Sequence, residues 1–378
     1  MSGIYIHIPF CKQACHYCDF HFSTQLKVKE NMLNALAREL ELRKEELGEE
    51  TIETIYFGGG TPSLLSADKL NDLIHSVYKH FEVIDNPEIT LEANPDDLSK
   101  SVLKDLAESP INRLSIGIQS FFEEDLKLMN RAHNATQAIE CLVEAKKYFN
   151  NMSIDLIYGI PGMDDKRWKE NIQKALDLEL PHISSYALTV EPKTALKKFI
   201  EKGLVPNVDD EQAEEQFHIL LETLEGEGYV NYEISNFGKL DYFSKNNSSY
   251  WQGKSYLGIG PSAHSFNGTT RSWNIRNNIK YIKAIEENKL PIEREELSVT
   301  DQYNEYVMTG LRTIWGVSLE KVERDFGKQH LEYLQMQSDK YINEHFLYLD
   351  GERMLVTKKG KFLADGIASD LFMVNLVT

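Results

Sequence analysis

Three of the chain's four cysteines, Cys11, Cys15 and Cys18, share one short stretch in a Cys-x3-Cys-x2-Cys spacing. Three thiolates on one loop suit three corners of a [4Fe–4S] cubane, a cluster that cysteine thiolates ordinarily hold. The fourth iron then has no protein ligand, and an open metal position can take a substrate or cofactor. The same residues admit two other readings. A disulfide requires an oxidising compartment, and no apolar signal-type segment precedes Ile4. A zinc site requires a fourth ligand, for which His16, His21 and Asp19 are at hand, although the cysteines are not a Cys-x2-Cys pair repeated at a distance.

Such a loop must be held, and the flanking pattern says how. Ile4 to Phe10 is short, apolar and β-branched, which predicts a buried strand that delivers the cysteines from its C-terminal end. A helix follows, with Leu33, Leu36, Leu40 and Leu47 on one face, Glu39 and Arg43 paired one turn apart, and Gly48 as its stop. Thr51 to Phe57 predicts a second strand, and Ser66 caps a helix carrying Leu70, Leu73, Ile74 and Val77. Further strands are expected at Glu88 to Glu92, Arg113 to Gln119, Ser153 to Tyr158 and His182 to Leu188, each followed by a helical pattern. This alternation implies an α/β fold with parallel strands, and in barrels of that kind the chemistry sits at the C-terminal strand ends. A doubly wound open sheet is the competing architecture.

The polar and glycine residues gather at those ends. Gly58-Gly59-Gly60-Thr61 closes the second strand, Glu92-Ala93-Asn94-Pro95 the third and Gln119 the fourth, while Asp155 lies in the fifth. Bare backbone at a strand end lets a ligand's amino acid moiety approach without a Cβ in the way. Arg131 offers a planar fork to a carboxylate, and Glu92 or Asp155 accepts from ribose hydroxyls or an ammonium. Cys141 sits in a helical pattern with Ala138, Leu142 and Ala145, the ordinary setting of a small buried hydrophobe.

The cysteine loop with Tyr17 before its last cysteine, together with Gly58 to Pro62, resembles the radical S-adenosylmethionine (SAM) superfamily. The resemblance implies a partial (β/α) barrel, a cluster on Cys11, Cys15 and Cys18, and SAM chelating the open iron. One-electron reduction then cleaves SAM to a 5′-deoxyadenosyl radical, the electron coming from a flavodoxin or ferredoxin. Over nearly the whole chain, the strings Ile4 to Cys11, Ser115 to Phe121, Asn130-Arg131, Asp155 to Pro161 and Leu257 to Gly260 resemble the oxygen-independent coproporphyrinogen III oxidase family. By position, this implies a SAM pocket of Tyr5, Tyr17, Gly59, Gly60, Thr61, Glu92, Gln119, Arg131, Asp155 and Ala187.

Two departures point to the haem-chaperone branch of that family. Phe20 stands where the oxidases carry a further cysteine, and ten residues precede Cys11 where they carry a long extension. Asn247-Ser248-Ser249-Tyr250-Trp251 is similar to that branch's HNxxYW motif, with Asn246 in place of its histidine. Asn247, Tyr250, Trp251 and His264 are therefore the candidate haem residues, and Tyr250 or His264 the candidate axial ligand, since both residue types ligate haem iron. The implied function is binding haem and passing it to an acceptor protein. The alternatives are oxidative decarboxylation of coproporphyrinogen III and radical SAM chemistry on an unrelated substrate.

The chain's 378 residues predict one large domain and a smaller one. The expected division is a barrel over residues 1–236, a structured loop region over 237–299 and a C-terminal helical domain over 300–378. In the last, Phe346 to Leu349 and Arg353 to Val356 flank Asp350-Gly351 as a hairpin, and a helix runs from Lys358 to Leu371, giving a winged-helix-like pattern. Such domains often bind DNA, but a net charge of -18 disfavours a phosphate-backbone partner. No apolar run approaches a membrane span, and the expected location is the cytoplasm.

Overall fold

The computed structural model describes residues 1–374. Its first half is a repeated strand and helix: β1 (Ser2–Ile8), α1 (Lys29–Leu42), β2 (Ile52–Gly59), α2 (Ala67–His80), β3 (Val83–Ala93), α3 (Lys100–Ala107) and β4 (Arg113–Gln119). There follow α4 (Glu123–Leu128), α5 (Ala135–Ala145), β5 (Met152–Tyr158), α6 (Asp165–Asp177), β6 (His182–Ala187), α7 (Ala195–Glu201) and α8 (Asp210–Gly226). Strands β1 to β6 lie side by side in chain order, each parallel to the next. A doubly wound sheet reverses its strand order at a switch point. No reversal occurs here, so the sheet curls as a partial barrel.

Alternation along the strands explains the core. In β1, Ile4, Ile6 and Ile8 are fully buried, as are Leu36 and Leu40 of α1 and Leu70 of α2. Full burial of such a side chain contributes roughly 1.5–3 kcal/mol. The alternate residues, Tyr5 and His7 of β1, Tyr56 of β2, Glu92 of β3 and Asp155 of β5, are polar and converge toward the open end.

The chain then does more than connect. β7 (Val230–Glu233) and β8 (Asn236–Gly238) pair antiparallel beyond β6. The stretch from Phe237 to Thr270, expected as a structured loop, carries α9 (Lys245–Trp251), β9 (Tyr256–Ile259) and β10 (His264–Phe266). β9 pairs parallel with β1 on the flank opposite β2, and β11 (Thr270–Asn274), α10 (Asn278–Glu286) and β12 (Ile292–Glu296) complete that side. These strands are three to five residues long, too short to show a period in the sequence.

The C-terminal part has its own apolar core, built on Tyr303, Val307, Leu334 and Met354. It comprises α11 (Val299–Leu311), β13 (Val317–Ser318), α12 (Leu319–Phe326), α13 (Lys328–Asn343), β14 (Leu347–Asp350), β15 (Arg353–Val356) and α14 (Ala364–Asp370). Asp350 pairs with Arg353, so the hairpin turns at Gly351-Glu352 rather than at Asp350-Gly351. The last helix is a 3₁₀ segment, Lys358–Leu363, followed by α14. Residues around Thr313 bond to Tyr232 and Ile234 and so cover the exposed edge of β7. Among the described residues no helix is long and apolar enough to cross a membrane.

Two boundary expectations are corrected. α1 ends at Leu42, and the chain passes through turns before Gly48. Ser66 occupies the N-cap of α2 but its side chain makes no capping bond.

Candidate functional site

Two cavities lie at the open end of the strands. The first, of about 430 Å³, is lined by all three clustered cysteines and by nine of the ten residues expected for SAM: Tyr17, Gly59, Gly60, Thr61, Glu92, Gln119, Arg131, Asp155 and Ala187. The tenth, Tyr5, lines the second cavity.

No cysteine is in a disulfide. Among the described residues no three His, Cys, Asp or Glu side chains converge on a single ion. Three thiolates on one loop beside the cavity suit the cluster implied by their spacing. His16 Nδ1 is bonded to Leu128 O at 2.8 Å and His21 Nε2 to Asn278 Oδ1 at 2.7 Å. Burial pushes the Cys11 and Cys18 thiols up to about 11, so iron must displace their protons on binding. Cys141 is buried on α5, away from this loop.

The turn between α4 and α5 grips the cysteine loop. His16 N–H donates to Met129 O, Gln13 Nε2 to Asn130 O at 2.8 Å, and Asn130 Nδ2 back to Ala14 O at 2.8 Å. Asn130 adopts φ 57°, a conformation asparagine tolerates better than most residues. Arg131 follows, donating to Cys15 Sγ at 3.3 Å, Asn94 Oδ1 at 2.7 Å and Gly117 O at 2.8 Å. Its Nε is buried without a partner, a spare donor beside the cysteines. Asn94 and Gly117 were not singled out from the sequence, because their part is to aim Arg131 from other strands.

Opposite them stand two buried carboxylates. Glu92 accepts from Tyr56 Oη at 2.8 Å and from Gly59 N–H at 3.2 Å, and burial raises its pKa. Asp155 has one long hydrogen bond, from Ser115 Oγ at 3.5 Å; burial first, and then the Glu92 charge, push it up to about 7. These acceptors suit an ammonium and hydroxyls, and Arg131's free donor suits a carboxylate. Gly59 has φ 107°, and a Cβ there would lie 2.3 Å from the His7 ring. The donors present thus fit both a cluster and SAM.

The second cavity, of about 480 Å³, shares Asp19, Phe20, Gly59 and Glu92 with the first. Its other walls are Tyr5, His7, His21, Tyr250, Tyr256, Ser262, Ala263, His264 and Arg276. His7 Nε2 faces His21 O at 2.8 Å and so carries the proton, which leaves Nδ1 to accept from Tyr5 Oη at 3.1 Å. Burial lowers His7 to about 4. His264 differs: it is exposed, neither ring nitrogen has a hydrogen-bond partner among the described residues, and partial desolvation followed by Arg271 lowers its pKa. His7, Tyr256 and Arg276 were not among the expected site residues, and His21 was named only as a possible zinc ligand. Only the alternation Tyr5, His7 within an apolar strand hinted at an inward polar face.

Two of the four candidate haem residues are not in this cavity. Asn247 is absent from its walls, its backbone N–H donating to the N-cap Ser244 Oγ at 3.2 Å, and Trp251 lies under the Arg312 guanidinium at 4.8 Å, toward the C-terminal part. The helical turn of α9 carries them away from Tyr250. Asn246 is buried, accepting from Thr54 Oγ1 at 3.0 Å and donating its N–H to Glu88 Oε1 at 3.1 Å.

Residues 5–175 match the radical SAM superfamily and residues 297–363 the HemN C-terminal domain. The chain is 37% identical to heme chaperone HemW of Bacillus subtilis, with 97% of this chain and 98% of the relative covered. It is 31% identical to heme chaperone HemW of Mycobacterium tuberculosis, covering 98% and 94%. Coproporphyrinogen III oxidase (HemN) of Escherichia coli, a radical SAM enzyme, superposes with a TM-score of 0.85 at 22% identity, covering 98% of this chain and 90% of that one, a likeness of fold. The chain belongs to the HemW family of heme chaperones, within the radical SAM superfamily.

Proposed function

We propose that this protein binds haem in the second cavity, with His264 as axial ligand, and passes it to an acceptor protein. The observation that carries this reading is the placement of His264 on the wall of the second cavity, with no hydrogen-bond partner at either ring nitrogen among the described residues. A neutral imidazole is the form that ligates iron. Tyr250 is the weaker candidate, because burial raises its pKa well above the ordinary phenol value and its hydroxyl is engaged by Asn246. Arg276 supplies a cation for a propionate, and Tyr256 and Phe20 offer rings to a flat macrocycle.

In the first cavity Cys11, Cys15 and Cys18 would hold the cluster. Arg131 would orient the carboxylate of SAM, while Glu92 and Asp155 would accept from its ammonium and ribose. When bound, the cluster supplies the single electron for SAM cleavage. That electron would come from a small redox protein such as a flavodoxin or ferredoxin, in the cytoplasm. Residues 1–236 build the first cavity, 237–299 complete the second, and the described residues of the expected 300–378 domain, 300–374, pack as a cap on the sheet edge.

The test is anaerobic. Reconstituted protein titrated with haem should bind one equivalent, and the reduced protein given SAM and coproporphyrinogen III should yield no vinyl product on pigment chromatography. Vinyl products would replace this reading with the oxidase; failure to bind haem would leave radical SAM chemistry on another substrate.

A further inference from the structure

Glu39 and Arg43 read in the sequence as an ordinary helix-surface pair, yet their side chains are 0% and 1% exposed, 3.0 Å apart. Burying two charges is costly unless every lone pair and proton finds a partner. Here they do: Arg43 Nε and Nη2 donate to Glu46 Oε2 at 2.9 and 2.6 Å, and three of the other partners lie between Gly258 and Ser265. Glu39 Oε2 accepts from Gly260 N–H at 2.8 Å and Tyr281 Oη at 2.6 Å, and Oε1 from Asn274 Nδ2 at 2.7 Å. Arg43 donates to Gly258 O at 2.8 Å and to Ser265 Oγ at 3.1 Å, whose oxygen accepts from Gly258 N–H at 2.9 Å. Asn274 Nδ2 also donates to Gly260 O at 2.8 Å.

The segment from Gly258 to Ser265 is thus bonded at both ends to a single ion pair on α1. Between those ends lie Ser262, Ala263 and His264, three walls of the second cavity. The backbone there is strained at Ser262, a non-glycine residue at φ 67°, and is closely packed at Gly260, where His7 O lies 2.7 Å from where a Cβ would stand. A loop in such a conformation needs external restraint to hold one geometry. None of the partners of the pair lines the first cavity.

We infer that the buried Glu39–Arg43 pair is a positioning device for the His264 wall of the second cavity. The inference rests on the haem reading above. Ligand-orienting partners of this type change metal affinity by roughly 10–100-fold when removed. The experiment compares the parent, Glu39→Gln and Tyr281→Phe as full-length reconstituted proteins, measuring haem affinity, Soret maximum, SAM affinity and iron content. Tyr281→Phe removes one hydroxyl and guards against Glu39→Gln failing to fold.

The expected result is haem binding weakened roughly tenfold or more in Glu39→Gln and less in Tyr281→Phe, with the Soret maximum displaced toward that of His264→Ala. SAM affinity and iron content should stay at parental levels. Parental haem affinity and Soret maximum in both variants would overturn the inference while leaving the haem reading intact. Parallel loss of haem, SAM and iron in Tyr281→Phe would reduce the pair to a general folding role and also overturn it. A parent that binds no haem would remove the reading and the inference together.

Discussion

The two cavities share a wall at Gly59, Glu92 and Phe20 but are built differently. Apart from Arg131, on the turn between α4 and α5, the polar groups of the first come from a strand end, or the loop that follows it, in the parallel run β1 to β6. Neighbouring strands in that run are also neighbours in sequence. The second draws on β1 and the cysteine loop, but also on α9, the β9–β10 loop and the approach to α10, which arrive only because β9 pairs with β1 across a long sequence separation. Charge separates them too. The first crowds carboxylates and an arginine among thiols, a place for a charged, hydroxylated cofactor; the second adds imidazoles and phenols to Asp19, Glu92 and Arg276, a place for a flat, metal-bearing ligand with acidic side chains. A local motif is enough to specify the first kind of site, whereas the second needs the whole sheet.

The sharpest break between them is at the cysteines. Cys11→Ala, Cys15→Ala or Cys18→Ala should abolish the cluster on anaerobic reconstitution, while Cys141→Ala should keep about four irons per chain. Loss of iron in Cys141→Ala would misplace the cluster.

Next come changes in the shared wall against changes on one side of it. Gly59→Val puts bulk where 2.3 Å separates an added Cβ from His7, so it should weaken both SAM and haem binding. Arg131→Ala should weaken SAM alone, by about 1.5–3 kcal/mol, the worth of a charge-assisted contact. Equilibrium dialysis with labelled SAM beside a haem titration separates the two, and equal effects of Arg131→Ala on both ligands would deny that the cavities are distinct.

A smaller effect follows from Asp155. Its native pKa, up to about 7, lies above the unfolded carboxylate value, so its contribution to stability is full at low pH and is lost as pH rises through about 7. Ligand binding runs the other way, because SAM's ammonium and hydroxyls need the ionised form. SAM affinity should therefore rise between about pH 6 and 8 as thermal stability of the ligand-free protein falls, and Asp155→Asn should flatten both trends. Haem binding should show neither trend with Asp155.

Smallest of all is the expected effect of Asn246→Ala on haem. The variant should lose about 1–3 kcal/mol of stability through the hydroxyl donor left unpaired at Thr54, yet bind haem as the parent does. A large loss of haem affinity at unchanged stability would return Asn246 to the cavity.

How much was legible follows the same division. Strands β1 to β6 were legible because alternating polarity and strand-end glycines are local signals, and nine of the ten residues that the family resemblance implied for SAM line one cavity with the cysteines. The β9–β12 side left no such mark, its strands being short and its partners distant. Tyr250 and His264 were legible as residue types, but α9's turn, which sends Trp251 to Arg312 and Asn247 to Ser244, was not. Glu39 and Arg43 show the limit most plainly. Spacing revealed their pairing, whereas their burial depends on α10 and the β9–β11 strands packing over α1.

The central claim, that His264 holds haem iron in the second cavity, is tested most directly by haem titration of the parent, His264→Ala and Tyr250→Phe in the Soret band. The account predicts a shifted maximum and weakened binding for His264→Ala, with Tyr250→Phe keeping the parental band. A parental band in His264→Ala, or a loss confined to Tyr250→Phe, would contradict it.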